Sequence, residues 1–85
     1  MPIIYHKSFK KAYQRQTPTI QEKFKEKLEI FAEDQFDYSL NNHALTGEFR
    51  GLRSINITGD IRVHYEETAN AIILVNIGSH AQLYK

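Results

Sequence analysis

A chain of 85 residues has room for one domain only, and without cysteine that domain cannot be a disulfide-stapled scaffold. Hydrophobic residues make up 41% and charged residues 25% of the sequence, the balance of a folded globule rather than of a disordered chain. A net charge of +1 gives no general attraction to nucleic acid, so a polyanion site has to be a local cluster of basic side chains.

Met1-Pro2-Ile3-Ile4-Tyr5 is followed at once by Lys7, Lys10 and Lys11, too short an apolar run for a signal peptide. Nothing further along is long enough to span a bilayer, so one soluble, cytoplasmic domain over residues 1–85 is expected. Its core is small, and a bound partner is expected to add stability. Pro2 to His6 reads as an edge strand. Ser8 is the candidate cap of a first helix reaching about Gln16, with Phe9, Ala12 and Tyr13 on its apolar stripe. Thr17-Pro18 restarts the chain as an N-cap followed by proline at the first helical position. Ile20, Phe24, Leu28 and Phe31 then mark one face of a second helix ending near Glu33. The mixed charges between them (Glu22, Lys23, Lys25, Glu26, Lys27, Glu29) are a solvated face.

From Asp34 to Thr46 the pattern dissolves into loop chemistry with room for a short helical turn. Phe49 to Ile57 alternates as a strand, Thr58-Gly59 makes a hairpin turn, and Ile61, Val63 and Tyr65 alternate on the return. After a second turn at Glu67 to Asn70, the unbroken run Ile72-Ile73-Leu74-Val75 predicts a strand buried on both faces. Gly78 ends it, and Ser79 to Lys85 form a tail. Two helices followed by a meander, with the first strand joining the sheet, predict an α+β fold: two N-terminal helices packed on a small twisted, mostly antiparallel sheet.

Few chemistries suit these residues. The four histidines, His6, His43, His64 and His80, fall at no metal-ligand spacing, so no metal is expected, and no glycine-rich phosphate loop precedes a helix, so no cofactor is expected either. Ser79 and His80 are adjacent and have no acid to orient them as a nucleophilic pair. Acid–base chemistry on a phosphodiester remains. RNA supplies its own nucleophile, the 2′-hydroxyl, so a protein needs a proton acceptor, a proton donor and positive charge on the phosphorane. His43, Arg53, Asp60, Arg62 and His80 lie at strand ends and loops where a sheet can present them together. Each also has a plainer reading. His80 is a surface residue of the tail, His43 a polar loop residue, and Arg62 the partner of Asp60 or Glu66. His6 and His64 read as structural or exposed, and Phe49 and Tyr65 as core.

The segments Asn42-His43-Ala44-Leu45-Thr46-Gly47, Gly51 through Tyr65, and Ile77-Gly78-Ser79-His80-Ala81-Gln82-Leu83-Tyr84 resemble, in order and register, the YafQ branch of the RelE/ParE toxin superfamily. The resemblance implies a toxin of a type II toxin–antitoxin pair, held silent by a cognate antitoxin in a hetero-oligomer, and cleaving mRNA in the ribosomal A site. It implies that His80 transfers a proton, with His43, Asp60 and Arg62 beside it in the catalytic site. Tyr84 then stands at the family's terminal aromatic position, with Arg53 and Asn56 as further RNA contacts. Two positions depart from the pattern. Asn56 stands where the family has a second site histidine, and Ile61 where an aromatic is common. Asn56 can bind a phosphate or hydroxyl but cannot move a proton. The competing functions are a non-enzymatic inhibitor of the gyrase-poisoning type, disfavoured by His80, and a degenerate toxin that only binds its antitoxin.

Overall fold

A computed structural model describes residues 1–84; Lys85, the end of the expected tail, lies outside the described residues. The chain forms β1 (Ile3–Tyr5), α1 (Lys7–Gln14), α2 (Pro18–Glu33), β2 (His43–Ala44), β3 (Arg53–Asn56), β4 (Ile61–Glu67), β5 (Ile72–Ser79) and α3 (His80–Leu83). Strand order is β1-β5-β4-β3-β2. β1 runs parallel to β5, and every other pair is antiparallel. A parallel pair needs a long crossover, and α1, α2 and the other strands supply it. The architecture is α+β with a mixed, mostly antiparallel sheet.

Local chemistry explains the helix ends. Thr17 Oγ1 accepts from the Ile20 amide at 3.2 Å with Pro18 in the first turn. The first helix is capped two residues earlier than the sequence suggests. His6, with extended backbone, accepts the Ser8 amide on Nδ1 at 3.0 Å. Ser8 already lies inside the helix, and its hydroxyl donates to the Val75 carbonyl of β5. That bond falls at an irregularity in the β4–β5 ladder: His64 pairs with Asn76 and Tyr65 with Leu74, leaving Val75 unmatched. The bulge frees a carbonyl, and the first turn of α1 satisfies it.

The helices cover one face of the sheet. Phe9, Phe24 and Phe31 meet Ile55, Ile57, Ile61, Val63, Tyr65, Ile72, Leu74 and Ile77 in one buried cluster. β5 is longer than the expected run and is not buried on both faces. Ile72 and Leu74 are buried, whereas Ile73 and Val75 are half-exposed, because no second layer covers the far side. The loop after α2 holds a short 3-10 turn at Tyr38–Leu40, which drives Leu40 fully into the core. Asp37 caps that turn, and the hydrogen bonds it accepts from Ser39 lower its pKa. His43 then enters a two-residue edge strand where the sequence suggested loop. β3 starts at Arg53, later than expected, since Gly47–Phe49 forms another 3-10 turn.

Tyr65 ties these layers together. Its ring is fully buried and meets Phe31 edge-on at 5.1 Å. Its hydroxyl accepts from Asn42 Nδ2 at 2.7 Å and Gln35 Nε2 at 2.9 Å. One side chain thus joins the centre of the sheet to the segment leaving α2 and to the entry of β2. Tyr65→Phe keeps the packing and strands two donors, so it should destabilise the fold by about 1–2 kcal/mol. Denaturant unfolding of the two proteins measures this; an unchanged midpoint would show that the hydroxyl ties nothing.

Candidate active site on the open face of the sheet

Side chains directly opposite one another in a ladder share a face. Ile55, Val63 and Tyr65 point to the helices, so their neighbours on β3 and β4 point away. Two rows cross the open face. His43, Ser54, His64 and Asn76 form one, and Asn56, Arg62 and Gly78 form the other. The C-terminal tail lies over the second row. A Cβ at Gly78 would stand 2.8 Å from Gln82 Oε1 and 3.2 Å from Gln82 Cβ, so glycine eases the close approach of α3 to β5. α3 begins with a capping box, in which the Ser79 hydroxyl accepts the Gln82 amide while Gln82 Oε1 accepts the Ser79 amide. The tail expected from the sequence is therefore a folded turn of helix.

The tail carries two of the anticipated residues onto this face. The Tyr84 hydroxyl lies 2.7 Å from His64 Nε2. The Tyr84 ring lies against His80, with centroids 4.6 Å apart and planes 33° apart. Phe49 closes the cluster edge-on, 5.1 Å from Tyr84 and 5.4 Å from His64. His80 itself is exposed. His43, across the ladder from Ser54, directs Nδ1 to the Asn41 carbonyl at 2.8 Å. A carbonyl only accepts, so Nδ1 carries the proton, and Nε2 of the neutral ring is left as the acceptor. Asn41 takes the left-handed conformation (φ 47°) that aims its carbonyl there.

Arg62 does not pair with Asp60 or Glu66. Its Nη1 donates to the carbonyls of Thr58 and Gly59 at 3.1 and 3.0 Å, which braces the β3–β4 turn. Asp60 is exposed in that turn. Asn56 faces Arg62 across the ladder, and its Oδ1 is buried without a hydrogen-bond partner. Arg53 is not brought to this cluster. It pairs with Tyr65 on the helix-facing side, donates from Nε to Asn42 Oδ1 at 2.8 Å and covers the Phe36 ring. Phe49, read from sequence as core, is a half-buried wall of the site.

His64 is the residue that sequence reasoning missed. It is 2% exposed on the central strand. The signal was present, because the alternation that turns Arg62 away from Ile61 and Val63 also turns His64 the same way. Among the described residues no three His, Asp or Glu side chains converge as a metal-binding set. An apolar groove of about 380 Å³ between β1, α1 and α2 contains none of the open-face residues. No helix among the described residues is long and apolar enough to cross a membrane.

Burial lowers the pKa of His64, and the nearby His43 adds to the shift. With the folded value below the ordinary 6.5, the unfolded chain takes up the proton first. Stability from this residue is complete above about pH 6.5 and is lost as pH falls toward the lower folded value. Denaturant midpoints should therefore decrease between roughly pH 7.5 and 5.5. His64→Leu should flatten that dependence; an equal slope in both proteins would show that the buried imidazole is not its source.

The family model described as the bacterial toxin of a type II toxin–antitoxin system, YafQ, matches residues 1–85. No curated protein sequence matches the chain significantly. Among solved structures, YafQ from E. coli strain BL21(DE3) is 20% identical with a TM-score of 0.80, covering 98% of this chain and 97% of that one. The toxin of the E. coli DinJ–YafQ complex is 21% identical with a TM-score of 0.76, covering 98% and 97%. The Methanococcus jannaschii RelB–RelE antitoxin–toxin complex matches at 17% identity and a TM-score of 0.76, covering 95% and 94%. The structural likeness extends along the whole fold, and with the match of the family model over every residue, the chain belongs to the YafQ family of type II toxin–antitoxin toxins.

Proposed function

We propose that this toxin is a ribosome-dependent endoribonuclease that cleaves mRNA in the A site, acts in the cytoplasm, and is silenced by a cognate antitoxin in a hetero-oligomeric complex. The observation that carries this reading is the convergence of His43, Arg62 and the His80–Tyr84 tail on the one sheet face the helices leave open. In this reading His43, with its Nδ1 proton engaged by Asn41, takes the 2′-hydroxyl proton on Nε2. The 2′-oxygen attacks the phosphorus, the bond to the 5′-oxygen breaks, and His80 gives that oxygen its proton. The products are a 2′,3′-cyclic phosphate and a 5′-hydroxyl.

Arg62 spends Nη1 on the turn carbonyls, and Nε and Nη2 remain to meet phosphate oxygens as charge develops. Asn56 turns its Oδ1 inward beside Arg62, and its Nδ2 donates to a phosphate or ribose oxygen in this scheme. Asp60, exposed at the turn, accepts a ribose hydroxyl rather than meeting the phosphorane, whose charge its own would oppose, and the Tyr84 ring flanks the base. Arg53, on the other side of the sheet, acts on RNA only by supporting the Asn42–His43 segment. The ribosome aligns the message, which suits a protein with so little net positive charge. For the antitoxin, the edge strand β1 exposes Ile4 and Tyr5, an edge to which a partner segment can add.

Induction of the toxin alone should arrest bacterial growth and leave cut transcripts bearing 2′,3′-cyclic or 3′-phosphate ends. His80→Ala should lower the cleavage rate on programmed ribosomes about a hundredfold or more, as loss of a general acid–base group does. Arg62→Ala should cost a comparable factor, and Arg62→Lys should restore part of it, since the charge returns without the fork. Full toxicity of a folded His80→Ala variant would favour the non-enzymatic, gyrase-type inhibitor. Normal growth under induction of the parent would favour a toxin that only binds its antitoxin.

A further inference from the structure

We propose that His64 is a positioning residue of this site: by holding the Tyr84 hydroxyl it seats the C-terminal tail and, through the Tyr84 ring, orients His80. The activity arm of this inference rests on the ribonuclease reading above. α3 has four residues, too short to hold its shape alone. Four contacts secure it: the capping box at Ser79 and Gln82, the burial of Leu83 at 8% exposure, the packing of Phe49 on Tyr84 and the His64–Tyr84 bond of 2.7 Å. The capping box orders the turn internally, and Leu83 anchors it without direction. The bond to His64 fixes where the hydroxyl end of Tyr84 lies, and Phe49, edge-on at 5.1 Å, sets the plane of the ring.

That ring sets the surroundings of His80, whose imidazole makes no hydrogen bond among the described residues and packs on Tyr84 at 4.6 Å. The seat itself is rigid. His64 lies on the central strand between Ser54 of β3 and Asn76 of β5, with Phe49 edge-on against it. Burial keeps its ring uncharged at neutral pH, so the seat places no extra positive charge beside His80. A residue serving only to fill space there needs volume. A residue serving to seat Tyr84 needs a hydrogen-bonding group where Nε2 lies, a requirement that glutamine meets and leucine does not.

Four variants separate the two roles: His64→Leu, His64→Gln, Tyr84→Phe and the double change His64→Leu with Tyr84→Phe. For each, kcat and KM for mRNA cleavage on programmed ribosomes are measured, with thermal melting as the folding control. NMR contacts between the His80 ring and the ring at position 84 supply a readout independent of activity. His64→Leu and Tyr84→Phe should each lower kcat by about ten- to a hundredfold with KM little changed, as misplacement of a reacting group does. The double variant should be no worse than either single one, and His64→Gln should recover most of the loss. Both single losses should be accompanied by weakened contacts between the two rings. Additive losses, or full kcat in folded Tyr84→Phe, would overturn the proposal, and the second comparison stands even if His64→Leu fails to fold. Should the parent protein cleave no RNA, the ribonuclease reading falls, and the NMR arm decides this proposal alone: ring contacts unchanged in Tyr84→Phe refute it, and their loss upholds it.

Discussion

Strand β4 has to satisfy two surfaces at once. Its odd-numbered residues Ile61, Val63 and Tyr65 are buried beneath the helices, and the strict alternation of a pleated strand sends Arg62 and His64 to the opposite side. A slip of one residue would bury an arginine and expose three core side chains, so the register is held strongly. The candidate chemistry depends on that register. β3 and β2 inherit the same parity through their ladders, which brings Asn56, Ser54 and His43 to the face carrying Arg62 and His64. The hydrophobic core thus decides where the polar site lies.

The bulge at Val75 corrects for what the parity alone would do. Without it, β5 would run in unbroken register from Ile72 to Ser79; with one unmatched residue, Ile72 and Leu74 face the helices on one side of the break and Ile77 on the other. Asn76 and Gly78 then fall on the open face, where Gly78 admits the tail. The Ser8 hydroxyl meets the Val75 carbonyl, so the same irregularity also pins the start of α1 to the sheet.

The open face carries local costs that a purely structural surface would avoid. Ser54 Oγ and Asn56 Oδ1 are buried without hydrogen-bond partners, each a penalty of roughly 1–3 kcal/mol by general experience. His64 is a buried titratable group on the same face. Such features gather where a protein binds or reacts, and they are tolerated because the helix-covered face supplies the stability. Two surface ion pairs along α2, Lys23–Glu26 and Lys25–Glu22, are exposed and add little.

Periodicity by itself determined the two main helices, the Thr17–Pro18 cap, the β3–β4 hairpin and the α+β class, because these rest on local spacing and turn chemistry. The family resemblance singled out His43, Arg62, His80 and Tyr84, residues that the fold gathers on one face. Other features depended on contacts between residues far apart in sequence. Whether His6 or Ser8 caps α1 depends on Ser8 being drawn to Val75, 67 residues away. The helix His80–Leu83 starts on a local capping box, but where it packs depends on Tyr84 meeting His64, 20 residues away. Arg53 lies on the helix-facing side with Tyr65 across the ladder, where its alternation with Ile55 and Ile57 already put it, although the resemblance made it an RNA contact. His64 was legible in part: alternation put it beside Arg62, but its burial requires Tyr84 and Phe49 to close over it, and only the folded tail and the turn at Gly47–Phe49 bring them there.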